Sequence, residues 1–206
     1  MSKSKNKNHK SKSANPKARI TLIVIGASLG GLKALQTVLS ALPRNFPAAI
    51  AIVQHRKSGA DERLVELLQR HCALTVSEPE DKEPVREGRV YVAPSDYHLM
   101  VEAGHFALST EPPVNHACPA IDVLFETAAS ACGPGVIGVL LTGASADGAA
   151  GLAAIRRAGG PAVAQDIKSA EATAMPEAAI LSGAADVVMP LEEIGSYLVR
   201  LVMHMK

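Results

Sequence analysis

The sequence predicts a doubly wound α/β fold: a mostly parallel sheet with helices on both faces and a small antiparallel insertion. Three observations carry this expectation. Short apolar runs alternate with amphipathic stretches along the chain, which is the signature of repeated strand-helix units. Aromatic residues are only 3% and Trp is absent, so Ala, Val, Leu and Ile must fill the core, as in strands buried on both faces. The 206 residues suffice for one domain with a full core.

Ile20–Ile25 is an apolar run and reads as the first strand; the glycine-bearing segment Gly26 to Gly31 ends it. Gly31–Leu42 is an amphipathic helix and Ala48–Gln54 a second apolar strand. Asp61–His71 reads as helix and Leu74–Ser77 as a short strand. A β-rich middle follows at Val90–Ala93, Leu99–Glu102 and Phe106–Ser109, where Ala103-Gly104 supplies a hairpin turn between the last two. Helix returns at Ala120–Ala131, before a strand at Val136–Leu141 and a helix at Ala149–Ala158. The remainder reads as a strand at Ala162–Gln165, a short helix near Pro176–Leu181, a strand at Asp186–Met189 and a last helix from Leu191. There is no internal repeat.

Composition narrows the function classes. Residues 1–19 hold seven Lys or Arg and no acid, whereas the rest of the chain holds 14 basic and 20 acidic residues. The overall net charge of +1 therefore hides a basic tail, expected to be disordered, on an acidic body at 20–206. A solvated tail is the plain reading, and no nucleic-acid partner is expected. The tail lacks the apolar segment of a secretory signal, and no apolar run reaches the ~18 residues needed to cross a bilayer. Cys72, Cys118 and Cys132 are odd in number and show no CxxC spacing. They suggest neither a disulfide framework nor a zinc site, and a reducing cytoplasm is expected.

Ligands in open α/β sheets collect at the carboxyl ends of strands, and three polar residues fall there. Ser28 follows the first strand, flanked by glycines that permit a tight turn; His55 follows the second; Asp147 lies in the turn after Val136–Leu141. If these strands are neighbours, a hydroxyl, an imidazole to take its proton and a carboxylate to orient the imidazole converge. Each residue also has a structural use. Ser28 and Asp147 suit helix N-caps, and His55 can simply end a strand. Spacing alone leaves hydrolysis and these plainer uses open.

A dinucleotide site fits less well. Gly26-Ala27-Ser28-Leu29-Gly30-Gly31 has Ser where the second glycine of GxGxxG meets the pyrophosphate. The second strand ends in Gln54-His55-Arg56 instead of an acid for the ribose, and no P-loop is present.

Seven blocks stand in order: Gly26-Ala27-Ser28-x-Gly30-Gly31, Val53-Gln54-His55, Val90-Tyr91-Val92-Ala93-Pro94, Pro119-Ala120-Ile121-Asp122-x-Leu124-Phe125, Leu141-Thr142-Gly143 with Asp147-Gly148, Ala164-Gln165-Asp166 and Met175-Pro176. Together they resemble the chemotaxis protein-glutamate methylesterases. The resemblance runs from Ile20 to the C-terminus and implies a doubly wound parallel sheet. It implies a cytoplasmic hydrolase of γ-glutamyl methyl esters on the cytoplasmic helices of methyl-accepting chemoreceptors, some members also deamidating receptor glutamines. The alternative is a non-catalytic receptor-binding or scaffold module that keeps the fold. The family's catalytic serine, histidine and aspartate fall on Ser28, His55 and Asp147. Backbone N–H groups of Leu29 and Ala144 are the candidate oxyanion donors, and no metal or organic cofactor is implied.

The chain departs from the family's usual residues at Leu29, Arg56, Ala144-Ser145 and Ala117-Cys118, which puts pocket shape in question while leaving the triad intact. Arg56 has two open readings, an anchor for an acidic receptor surface or a solvated charge. Cys118 reads as a small apolar residue, not a second nucleophile. Most relatives carry an N-terminal receiver domain where this sequence has only the basic tail. Either the sequence is a stand-alone member, the expected reading, or it is a piece of a longer protein; a stand-alone member is expected to be regulated through a separate receiver-domain protein or through substrate supply.

Deleting residues 2–19 is expected to leave kcat unchanged, because the segment has no apolar periodicity with which to dock on the domain. Any loss in substrate capture should fade at high salt. A drop in kcat on truncation would show that the tail is part of the folded unit.

Overall fold

The computed structural model describes residues 22–56 and 63–204. The tail at 1–19, the first two residues of the Ile20–Ile25 strand and the first two of the Asp61–His71 helix lie outside the described residues. So does the end of the last helix beyond His204.

Seven strands form one parallel sheet: β1 (Leu22–Ala27), β2 (Ala49–Gln54), β3 (Thr75–Ser77), β4 (Arg89–Val92), β7 (Val136–Leu140), β8 (Ala162–Gln165) and β9 (Val187–Met189). Their spatial order is β3-β4-β2-β1-β7-β8-β9, and every neighbouring pair is parallel. The insertion is a separate antiparallel hairpin of β5 (His98–Glu102) and β6 (His105–Ser109). The first of the three strands expected in the β-rich middle thus joins the main sheet as β4, and only the other two form the hairpin.

The helices cover both faces. Alternate residues of β1 divide between two cores: Ile23 and Ile25 pack on one side, Leu22 and Val24 on the other. The first side holds α1 (Gly31–Ser40), α2 (Leu64–Gln69) and α6 (Leu191–His204). In α6 the buried residues Leu191, Ile194, Leu198 and Val202 recur at helical spacing. The second side holds α3 (Ile121–Cys132), α4 (Ala149–Arg157) and α5 (Ala174–Leu181).

Element ends differ from the sequence expectation for identifiable reasons. Helix α1 stops at Ser40 instead of Leu42, since Leu42 precedes Pro43 and is thereby biased away from helical backbone. Helix α5 begins at Ala174, two residues before Pro176, because a proline is tolerated in a first turn whose N–H groups lack helical partners. Two 3-10 turns, Gly133–Gly135 and Ile167–Ser169, carried no periodic signal.

Strand order places the chemistry. From β1 the chain builds outward through β2 to β4 and β3, then returns to the other side of β1 with β7. The reversal opens a crevice at the carboxyl ends of β1 and β7, where open α/β sheets take ligands.

Helices α3 and α4, which begin beside the loop after β7, meet closely at Gly151. A Cβ there would lie 2.5 Å from Phe125 Cβ and 3.1 Å from the Asp122 Cα and carbonyl oxygen. The obstruction is partly backbone, so Gly151→Ala must push the helices apart and should cost about 1–3 kcal/mol of stability in urea unfolding. Wild-type stability in this variant would mean that the helices separate freely.

Candidate active site

Backbone pairing continues past the strand ends and aligns three loops. Ser28, one residue beyond β1, donates its N–H to Thr142 O at 3.0 Å, and His55, one residue beyond β2, donates to Ala27 O at 2.9 Å. Leu141 donates to Gly26 O at 2.9 Å. Ser28 and His55 line a common cleft of about 550 Å³ that also includes Leu29, Gln54 and Glu171.

Ser28 is not a helix cap. The N-cap of α1 is Gly30, whose φ of 77° lets the chain turn sharply between the serine and the helix, and no side chain caps it. Ser28 Oγ makes no hydrogen bond to a described residue. Its neighbouring backbone is firmly held: Ser28 O accepts from Gly31 N at 2.9 Å and from Gln54 Nε2 at 2.8 Å. Thr142 Oγ1, 2.9 Å from Leu29 O and 3.1 Å from Ala172 O, ties this turn to the loop after β7.

Asp147 likewise does not cap the helix that follows it. Gly148 is the N-cap of α4, with no side-chain cap, and the Asp147 carboxylate is turned to other partners. Oδ2 lies 2.8 Å from His55 Nε2 and accepts from Ile121 N at 2.7 Å. Oδ1 accepts from Asp122 N at 3.0 Å. Burial alone would raise this carboxyl's pKa, but the hydrogen bonds from His55, Ile121 and Asp122 outweigh it and hold the group below the usual carboxylate range. The imidazole's Nε2 edge is thus engaged by a buried anion, leaving Nδ1 for a second partner.

Asp122 answers Asp147 symmetrically. Its Oδ1 accepts from Gly148 N at 3.0 Å and Gly151 N at 2.7 Å, at the start of α4. Asn115 Nδ2 sits between the two acids, 2.9 Å from Asp122 Oδ2 and 3.5 Å from Asp147 Oδ1. Burial, with the charges of Asp147 and Glu126, pushes the Asp122 carboxyl up to about 6 against the opposing N–H bonds from Gly151 and Gly148.

Of the two backbone groups singled out as anion donors, Leu29 N–H and Ala144 N–H meet no acceptor among the described residues. Gly143 N–H, in the same turn as Ala144, is occupied by Ala172 O at 3.0 Å.

The departures from the family pattern resolve differently. Arg56 is no solvated charge: its side chain is only 8% exposed, and Nη2 donates to Ala93 O at 2.7 Å and to Glu78 Oε1 at 3.2 Å. It forms part of a second cleft of about 420 Å³ on the other side of His55, with Asp96, His116 and Cys118. Burial pushes the Cys118 thiol up and Asp96 pushes it further, which keeps it protonated and a poor nucleophile. Leu29 stands 57% exposed at the rim.

Sequence reasoning did not single out Gln54, Asn115, Asp122, Thr142 or Gln165 as functional. All but Asn115 lie in the blocks quoted above, which was the available signal. Gln165 is buried and accepts from Thr142 N at 2.9 Å, fixing the loop behind the serine. His98 is a satisfied core histidine: Nδ1 accepts from Ala120 N, so Nε2 donates to Pro112 O at 3.2 Å. Among the described residues no cluster of His, Cys, Asp and Glu is arranged to hold a metal ion, and no helix is long and apolar enough to cross a membrane.

The chain matches the family model described as CheB methylesterase over residues 23–198. A relative from Leptospira interrogans, provisionally named a protein-glutamate methylesterase/protein-glutamine glutaminase, is 44% identical over 180 residues, covering 87% of this chain and 93% of that one. The protein-glutamate methylesterase FrzG of Myxococcus xanthus is 43% identical over 190 residues, covering 92% of this chain. This chain spans 57% of FrzG, little more than half its length. The crystal structure of the Thermotoga maritima CheB methylesterase catalytic domain superposes with a TM-score of 0.85 at 36% identity, covering 90% of this chain and 100% of that one.

The Asp122 titration has a thermodynamic consequence with a definite sign. Its folded pKa of about 6 exceeds the ordinary carboxylate value, so at intermediate pH the folded protein binds the extra proton. Its contribution to stability is full below roughly pH 4 and is lost as pH rises through about 6. Asp122→Asn, which cannot lose that proton, should gain stability relative to wild type as pH rises from roughly 4 to 7, measured by urea unfolding at fixed ionic strength. A difference that does not vary with pH would contradict the raised value.

Proposed function

The chain belongs to the CheB methylesterase family, and from that premise we propose that Ser28, His55 and Asp147 form the catalytic unit of a protein-glutamate methylesterase acting in chemotaxis signalling. The observation that carries this reading is the buried Asp147 carboxylate, engaged at 2.8 Å with the imidazole of His55, a residue that lines one cleft with a glycine-flanked serine.

Ser28 Oγ attacks the ester carbonyl of a glutamate γ-methyl ester while His55 takes its proton at Nδ1. Asp147 holds the imidazole by Nε2 and stabilises the imidazolium that forms. The negative charge on the tetrahedral oxygen is met by Leu29 N–H and Ala144 N–H, both free of competing acceptors among the described residues. Collapse expels methanol with the proton carried by His55. Water, activated by the same base, then cleaves the acyl-serine and releases the glutamate carboxylate. A glutamine side chain places ammonia where methanol leaves, so receptor glutamines are a second substrate class by the same steps.

The substrates are methylated helices of chemoreceptors in the cytoplasm, a compartment consistent with three unpaired thiols. The catalytic unit runs from residue 20 to 206, with 1–19 as a separate basic segment. A separate receiver-domain protein is the proposed regulatory partner.

Methanol release from methylated receptor fragments tests the reading. Ser28→Ala and His55→Ala should each lower turnover by a factor of about a thousand or more while the variants still fold. A variant that keeps more than roughly a tenth of wild-type activity overturns its assigned role. If wild type releases no methanol yet binds receptor as well as Ser28→Ala does, the protein is a binding module.

A further inference from the structure

We infer that Gln54 is a positioning residue that aims the Leu29 N–H at the reacting oxygen; the inference rests on the esterase reading above. Gln54 ends β2, and both hydrogens of its amide are engaged. Nε2 donates to Ser28 O at 2.8 Å and to His55 O at 3.0 Å. One side chain therefore ties the backbone of the nucleophile to the backbone of the base.

The amide's orientation is forced. Turned over, Oε1 would face two carbonyl oxygens. As it stands, Oε1 is buried and meets no hydrogen-bond donor, a costly state for an amide oxygen. It packs instead on Gly31, where any Cβ would collide with it. A methionine or leucine would fill the same space without an orphaned acceptor. The two bonds made by Nε2 are what the amide adds over an apolar side chain.

Those bonds act on the catalytic turn through the peptide plane. Ser28 C=O and Leu29 N–H belong to one planar trans unit and point in opposite directions. Gln54 Nε2 and Gly31 N, at 2.9 Å, hold the oxygen end. Thr142 Oγ1 holds the next carbonyl, Leu29 O, at 2.9 Å. The Leu29 N–H is thereby fixed in direction while making no hydrogen bond to a described residue. A donor that must be in place before charge develops has these two properties.

Gln54→Met, which keeps length and loses the donor, tests this against wild type and Ser28→Ala. Three quantities are read: kcat, KM, and affinity for a small boronic acid, which forms a tetrahedral anionic adduct on an active-site serine. The expected result is a fall in kcat of roughly 10- to 100-fold, smaller than deletion of a donor outright, with KM within about twofold. Boronic acid affinity should fall by a similar factor. A purely structural role for Gln54 would not separate the tetrahedral adduct from the ground state in this way. If Gln54→Met does not fold, Gln54→Glu, whose carboxylate repels the two carbonyls at neutral pH, is read by the same three quantities and should show the same split. Wild-type kcat and boronic acid affinity in the folded variant overturn the role of Gln54 alone. A rise in KM at unchanged kcat also overturns it, by making Gln54 a substrate contact. If wild type neither releases methanol nor binds the boronic acid, the esterase reading falls and the inference falls with it.

Discussion

Two aspartates exchange helices, and the corner that holds His55 depends on that exchange. Asp147 precedes α4 but its carboxylate receives the first N–H groups of α3, from Ile121 and Asp122. Asp122 lies in the first turn of α3 but receives Gly148 and Gly151 N–H at the start of α4. Helix N-termini present unbonded donors and favour negative charge, so each acid satisfies the end of the other's helix. The close packing at Gly151 and the position of Asp147 beneath His55 are then one constraint. Moving either helix would displace the carboxylate that holds His55.

The same exchange divides the charge unevenly. Two carboxyls this near each other, sharing the single amide of Asn115, resist ionising together. Asp147, with the imidazole in addition to backbone donors, is held below the usual range, whereas Asp122 is pushed up to about 6, by burial first and by the Asp147 charge after it. Asp147, the acid that faces His55, therefore ionises first as pH rises, and Asp122 follows only as pH passes about 6. Arg56 leaves this balance largely to the acids, since its charge is turned toward Glu78 and the Ala93 carbonyl.

Much of this was legible in the sequence because it follows from local pattern. Period and burial identify β1, β2 and β7, and their ends identify Ser28, His55 and Asp147 as residues at one sheet edge. Local rules failed where a distant group outcompeted a near one. Capping propensity offered Ser28 and Asp147 to their own helices, but glycines took those places and freed both side chains. Gln54, Asn115 and Asp122 act through contacts spanning 26, 32 and 29 residues, which no window of sequence displays. Arg56 looked like a surface charge because its acceptor, Ala93 O, is 37 residues away. β4 belonged to the parallel sheet for a similar reason: pairing with β2 is decided by crossover topology, not by neighbouring strands in sequence.

The strand order also bears on when the site comes into being. His55 and Asp147 are 92 residues apart, and they meet only because β7 returns to pair with β1 after most of the chain has been made. Contacts of such separation close late, since the loop entropy is lost before the contact rewards it. During synthesis Ser28 and His55 emerge first, without Asp147 and without the turn that carries Ala144. The corner where Ser28, His55 and Asp147 lie is therefore complete only once β7 has closed onto β1.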